Sequence, residues 1–239
     1  PETSKSYHYK FLSKKYNSSG GLHVGNNMFS KNMYYQKYLP GKTYSISFIA
    51  NGEYSKILGL NQLFLVKDNI KFPFLHAGAM NLGLSEANID FPKNFISSIC
   101  NLYQIKGYCS IDFKILDNNI YILDFNPRLS SSYRLYTRKY ENLMHHHLGL
   151  INNEVNTISN QYYAYIILYA KKDLIVSDSI NELENISDRP TIGDSIKKDM
   201  PLFTINLHSN DKDDILFKIK NRIISAMKII DCYNTQLEY

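Results

Sequence analysis

The chain has 239 residues, of which 44% are hydrophobic, 13% aromatic and 21% charged. That apolar content supports one sizeable core or two small ones, and it excludes a disordered, collagenous or coiled-coil chain. The net charge of +5 suits an anionic ligand but is too small and too dispersed to argue for nucleic acid, and no apolar run reaches the about 18 residues of a membrane helix, so neither nucleic acid nor membrane is an expected partner.

The first five residues, Pro1 to Lys5, carry no signal-peptide stretch. They lack an initiator Met, so a processed or truncated N-terminus is expected. Cys100, Cys109 and Cys232 are widely spaced and form no CxxC or zinc pattern. Free thiols in a cytoplasmic protein are expected.

In chain order, a first region (1–64) opens with a strand over Tyr9 to Lys14, followed by a polar turn cluster from Lys15 to Gly21. Leu22 to Val24 is extended, Tyr34 to Leu39 is aromatic and apolar, and Pro40-Gly41 turns the chain. Tyr44, Ile46, Phe48 and Ala50 alternate with Ser45 and Ser47, which predicts a half-buried strand. Asn51-Gly52 is a hairpin turn, and Glu53 to Leu60 returns.

A second region (65–150) holds a helix with Asp90 as cap and Pro92 in its first turn, carrying Phe95, Ile96, Ile99, Cys100 and Tyr103 on one face and ended by Gly107. Two strands, Tyr108 to Leu116 and Ile120 to Asn126, follow, and Arg134 to His147 reads as helical. In a third region (151–239), Tyr163 to Tyr169 and Leu174 to Val176 are strands. Pro190, Gly193 and Pro201 then break the chain into short strands and turns. The last helix, Asp211 to Ile230, would bury Ile215, Ile219, Ile223, Met227 and Ile230, with Asp211, Asp213 and Asp214 at its positive end. The adjacent His145, His146 and His147 point apart and predict a polar surface patch rather than a zinc site. The pattern as a whole is α+β.

Asp112 and Asp124 lie inside strongly apolar strands, where carboxylates are disfavoured and costly to bury. A divalent cation would compensate that cost. Asp124 and Asn126 are two apart and share a face. A three-residue loop, Asp117-Asn118-Asn119 with Asn119 left-handed, would set Asp112 opposite Asp124, whereas a two-residue turn at Asn118-Asn119 would put the acids on opposite faces. Three converging hard oxygens, from Asp112, Asp124 and Asn126, describe a metal site for a Mg2+–nucleotide, with Arg128 beside it.

Asp124-Phe125-Asn126-Pro127-Arg128 after a strand, with Asp112 upstream, resembles the C-terminal half of the ATP-grasp fold, in which an acid, any residue, Asn, any residue and Arg form the signature. Asp124 stands where Glu is more usual. The segment from Lys14 to Gly21 is similar to the family's phosphate loop: Lys14 matches its phosphate-contacting Lys, Lys15 stands where Pro is usual, and Ser19, Gly20 and Gly21 match the glycine-rich tip. Gln36-Lys37-Tyr38-Leu39 resembles the hinge that reads adenine. Gln36 replaces the usual hinge carboxylate, and Thr43 stands where many members hold ribose with an acid. Ser110 sits where many members carry a cation.

The resemblance covers about residues 9 to 133. It implies an ATP-grasp fold: two α+β subdomains, 1–64 and 65–150, gripping a nucleotide, with a β-rich extension over 151–239 that ends in a helix. It implies ATP and Mg2+, or Mn2+, as cofactors, with Lys14 and Arg128 as catalytic residues. The implied activity is ligation of a small carboxylate to an amine or thiol through an acylphosphate. A degenerate module that binds nucleotide or a partner without turnover is the other reading. The Ser-rich Leu129 to Tyr133, and Asp188 to Gly193 with Pro201 to Thr204, are similar to small archaeal and bacterial members, some of which occur with one-carbon metabolism. Family members normally carry an N-terminal α/β domain before the phosphate loop. Since Lys14 lies almost at the start, an N-terminal domain or a separate chain is expected to complete the fold, and a homodimer is a further expectation.

Overall fold

A computed structural model describes residues 11–16, 24–25, 32–66, 71–83, 93–151, 154–232 and 235–236. Phe11–Lys15 (β1), Val24–Gly25 (β2) and Met33–Lys37 (β3) form a small antiparallel sheet in the order β2-β1-β3. Thr43–Asn51 (β4), Ser55–Val66 (β5) and His76–Leu82 (β6) meander into a second, much larger sheet. After the helix Lys93–Leu102 (α1), the strands Lys106–Leu116 (β7) and Asn119–Asn126 (β8) pair on the far side of β4. A 3-10 turn at Ser131–Leu135 and a short helix Leu143–His147 (α2) lead to Tyr162–Tyr169 (β9).

The remaining strands are Leu174–Ile175 (β10), Ile186–Ser187 (β11), Ser195–Ile196 (β12) and Pro201–Ser209 (β13), followed by the helix Lys212–Ile229 (α3) and Thr235–Gln236 (β14). The large sheet runs β11-β13-β9-β6-β5-β4-β7-β8, with β14 paired to β5 as its ninth strand. Residues 64 and 65 are consecutive within β5, and β9 and β13 continue the sheet begun by β4.

Alternation along β4 assigns the two faces of this sheet. Ile46, Phe48 and Ala50 enter a core shared with Ile96 and Cys100 of α1 and with Ile215, Ile219, Ile223 and Ala226 of α3. On the opposite face Ile49 joins a core with Leu58, Tyr108, Tyr136, Tyr140 and Leu143. Both faces are therefore covered. Ser45 and Ser47, predicted on a solvent face, are 1% and 0% exposed. Their hydroxyls have partners: Ser47 accepts from Asn61 (2.9 Å) and from Tyr108 (2.7 Å), which offsets the cost of burial.

Several local expectations change. The segment Arg134 to His147 is a 3-10 turn, a run of turns and the short α2 rather than one helix. Left-handed Asn142 begins α2 without a side-chain cap. α1 ends at Leu102, with Gln104 left-handed just beyond; Gly107 instead opens β7 at φ +87°, where a Cβ would come within 2.6 Å of the His147 ring. His147 accepts from the Tyr108 N–H (3.0 Å), so it is turned inward from the predicted surface patch. On α3 the buried stripe is Ile215, Ile219, Ile223 and Ala226, while Met227 is exposed and Ile230 lies beyond the helix end, partly buried. Asp211 caps α3, accepting from the Asp214 N–H (2.8 Å). The predicted cap Asp90 and Pro92 lie outside the described residues.

Candidate nucleotide and metal site

The β7–β8 hairpin turns through Asp117 and Asn118, both left-handed (φ +49° and +61°), with Leu116 opposite Asn119. This is a two-residue turn of the type that matches strand twist. It is one residue shorter than the three-residue loop expected, and Asn119 belongs to β8. By itself the turn would set Asp112 opposite Leu123. A bulge intervenes: Phe113 pairs with Ile122 and Asp112 with Asp124, so Leu123 is the extra residue. Asp112 faces Asp124 after all, by a different device. The Leu123 carbonyl accepts from Gln36 Nε2 (3.4 Å), tying β3 to the bulge.

Lys14, Gln36, Lys37, Tyr38, Leu39, Asp112, Asp124, Asn126 and Arg128 all line one cleft of about 370 Å³. Ser19, Gly20 and Gly21 lie outside the described residues. The cleft spreads over the β4 face that carries Thr43 and Ser45, under the small sheet. Asn126 Nδ2 donates to Asp112 Oδ2 (3.5 Å), and Arg128 Nη2 donates to Asn126 Oδ1 (3.0 Å). Asp124 Oδ1 accepts from the Phe125 N–H (3.0 Å).

Burial pushes the Asp112 carboxyl up to about 6; a hydrogen bond from Ser45 opposes this, Asp124 adds to it, and Lys14 and Asn126 oppose it. Lys14 is partly buried, and desolvation lowers its ammonium, against the pull of Asp124 and then Asp112. Two carboxylates, the Asn126 amide and a partly buried ammonium thus line one cleft, the amide turning its nitrogen to Asp112 and its oxygen to Arg128. The carboxylate oxygens are hard donors of the kind that Mg2+ and Mn2+ take, and burial is the chief cause of the raised Asp112 value.

Sequence reasoning passed over four features of this cleft. Ser45 is one, hidden by the reading of β4 as half solvated. Lys114 is another: its Nζ donates to the Gly41 carbonyl (2.6 Å) and lies 5.6 Å from the centre of the Tyr38 ring, fastening the hinge to β7. The third is a chain of buried hydroxyls behind the acids, in which Ser110 donates to Ser130 (3.1 Å), Ser130 meets Ser132 (2.8 Å) and Ser132 meets Tyr108 (2.9 Å). The fourth is His76 with Tyr165, on β6 and β9. A serine run and isolated aromatic residues carry no spacing signal from which to find them.

Residues 1–132 match the family described as the ATP-grasp domain. The chain belongs to the ATP-grasp family. Among curated proteins, this ATP-grasp chain is 28% identical over 186 residues to an uncharacterized protein of Methanocaldococcus jannaschii, covering 75% of the chain and 43% of that protein. It is 26% identical over 123 residues to a tyramine–L-glutamate ligase of the same organism, covering 52% of the chain and 37% of the ligase. The chain thus spans about two fifths of the length of these relatives. An L-amino acid ligase from Bacillus licheniformis has a similar fold, with a TM-score of 0.65 at 10% identity over 99% of the chain and 66% of that ligase. The ATP-grasp fold expected from the motifs is the fold observed, with α3 closing its C-terminal part. Among the described residues no helix is long and apolar enough to cross a membrane.

Proposed function

We propose that the protein is the nucleotide-gripping part of an ATP-dependent ligase that joins a small carboxylate to an amine. The observation that carries this reading is the convergence of Lys14, Asp112, Asp124, Asn126 and Arg128 in one cleft, reached from two separate sheets.

Residues 36–39 would hold the adenine, with Lys114 fixing Tyr38 from behind. Asp112, Asp124 and the Asn126 amide oxygen would hold a divalent cation, which supplies positive charge against the phosphate being transferred. Lys14 would place its ammonium beside that phosphate, with Ser19, Gly20 and Gly21 as its loop. Arg128 would clamp the substrate carboxylate through its guanidinium fork, so that a carboxylate oxygen attacks the terminal phosphorus and ADP leaves. The amine then attacks the acyl carbon of the acylphosphate, inorganic phosphate leaves and the nitrogen loses a proton, giving an amide. The small sheet over the cleft would exclude water that would otherwise hydrolyse the acylphosphate.

Calorimetric titration with Mg-ATP tests the first step; absence of binding would sink the reading. A second reading is nucleotide binding without ligation. Ser110 favours it, being neutral, buried and engaged with Ser130 where many ATP-grasp members carry a cation. Amine-dependent release of ADP and phosphate over a panel of carboxylates and amines separates the two, since turnover excludes the second.

A further inference from the structure

The cleft has two chemically different sides. Asp112 and Asp124 of β7–β8, Arg128 just after them and Lys14 of β1 make one side strongly charged. On the β5–β6–β9 side the described lining residues are Leu63, Leu65, Phe74, His76 and Tyr165. The hydrogen-bonding groups on that side are the His76 imidazole and the Tyr165 hydroxyl, and both are neutral. Burial lowers the imidazole to about 4 and raises the phenol well above its ordinary value.

The pair is ordered by its neighbours. His76 Nε2 lies 3.0 Å from the Tyr165 hydroxyl, and the Ser131 side chain hydrogen-bonds the same phenol. The Arg134 guanidinium covers the Tyr165 ring at 5.3 Å and is itself paired with Asp188 at 3.2 Å. In the tautomer in which Tyr165 donates to Nε2, the imidazole proton resides on Nδ1. Nδ1 has no partner among the described residues, so in that tautomer His76 offers an uncharged donor among the residues that line the cleft.

Its position along the cleft identifies what it meets. Phe74, two residues before His76, contacts the Tyr38 ring of the hinge (6.2 Å between centroids). Ser131, joined to His76 through Tyr165, follows Arg128 by three residues. His76 therefore stands between the hinge and the charged end. In a nucleotide laid along that path, the group between base and phosphates is the ribose, uncharged and rich in hydroxyls. A phosphate or carboxylate would instead favour Lys14 and Arg128.

We propose that His76, held by Tyr165 and Ser131, binds a ribose hydroxyl of the nucleotide and makes the site selective for ribonucleotides. This rests on the nucleotide-binding reading above. Thr43, lining the same cleft, has no carboxylate to offer the sugar.

Calorimetric titration with Mg-ATP, Mg-2′-deoxy-ATP and Mg-3′-deoxy-ATP tests the proposal on the wild-type chain and on His76→Phe and His76→Asn. Wild type should lose about tenfold in affinity for one of the deoxy forms, the scale of one hydrogen bond. His76→Phe should bind ATP about tenfold more weakly and treat ATP and that deoxy form alike. His76→Asn, whose amide can still donate, should keep part of the discrimination, and it carries the test if melting shows that the Phe variant does not fold. Equal affinity of wild type for all three nucleotides, or undiminished discrimination by a folded His76 variant, overturns the proposal and leaves the ligase reading standing. No binding of any nucleotide by wild type overturns both.

Discussion

Asp112 and Asp124 stand directly opposite one another on β7 and β8 because Leu123 bulges out of the ladder between the Asp117–Asn118 turn and the acids. Without that single extra residue, Asp112 would face Leu123, and Asp124 would lie on the other face of the sheet. The bulge therefore creates the acid pair, and its carbonyl anchors Gln36 of the small sheet. If Asp112 and Asp124 hold a cation, Asp112→Asn and Asp124→Asn should each weaken Mg-dependent ATP binding by tenfold or more, since the amide keeps shape and removes charge. Titrations with and without Mg2+ check this; unchanged affinity in both variants would assign the acids a structural role only.

The turn itself is open to test. Asn tolerates the left-handed region, and a β-branched residue does not. Asn118→Val should cost about 1–2 kcal/mol in chemical denaturation, while Asn118→Gly should be close to neutral. If Asn118→Val is as stable as wild type, the two-residue turn is not the register device.

Asp112 links the site to pH. Its folded-state value of about 6 lies above its ordinary 3.8 because burial disfavours the ionised form. The stability associated with this group is complete below pH 3.8 and is lost as pH rises through about 6. The metal-free protein should therefore gain stability on acidification over that window from this group. At pH 7.5 metal-free Asp112→Asn should melt above wild type, with a gain on the order of 1–3 kcal/mol. Mg-dependent nucleotide binding should show the opposite trend, weakening as pH falls below about 6 because the ligand must be ionised. An Asp112→Asn variant that melts at or below wild type at pH 7.5 would contradict the account of a desolvated, uncompensated carboxylate.

The legible part of this site was the part that breaks a physical rule. Asp112 and Asp124 are carboxylates in apolar strands, and that conflict shows in the amino-acid order alone. Ser45 and Ser47 obey the alternation rule and so looked solvated; Ser45 instead bonds Asp112 in the cleft, and Ser47 bonds Ser132 beneath a second layer that carries Leu135, Tyr136 and Tyr140. That layer was illegible because it is held by tertiary packing. Tyr136 and Tyr140 insert into the face as side chains from turns, where a helical period was sought. On α3 the period was right, but the buried stripe ends on Ala226 rather than Met227.

Lys14 is partly buried near both acids. Lys14→Ala should therefore do two things. It should weaken ATP binding more than AMP binding, because the ammonium serves the outer phosphates. It should also leave the metal-free melting temperature nearly unchanged or slightly raised, since desolvation of the ammonium outweighs the attraction of Asp124 and Asp112. Equal losses for ATP and AMP would place Lys14 away from the phosphates.

The C-terminal region is part of the same sheet as the acids. β9 pairs with β6, β13 pairs with β9, and α3 buries Ile215, Ile219 and Ile223 against that sheet. Each such side chain contributes about 1.5–3 kcal/mol on burial, before the entropy of ordering is counted. Removing everything after Gly149 would uncover the β6 edge and the core face of the remaining sheet that carries Ile46, Phe48 and Leu60. It would also delete Tyr165 from the cleft wall. A chain ending at Gly149 should thus be insoluble, or soluble only as a non-cooperative state that binds hydrophobic dye. The single substitution Ile219→Ala in the full chain should cost about 2–5 kcal/mol, while Met227→Ala, at an exposed position, should fall within about 0.5 kcal/mol of wild type. A soluble 1–149 fragment that melts cooperatively and binds Mg-ATP would show that the region after Gly149 is an independent module, and that the buried face of α3 contributes nothing to the nucleotide site.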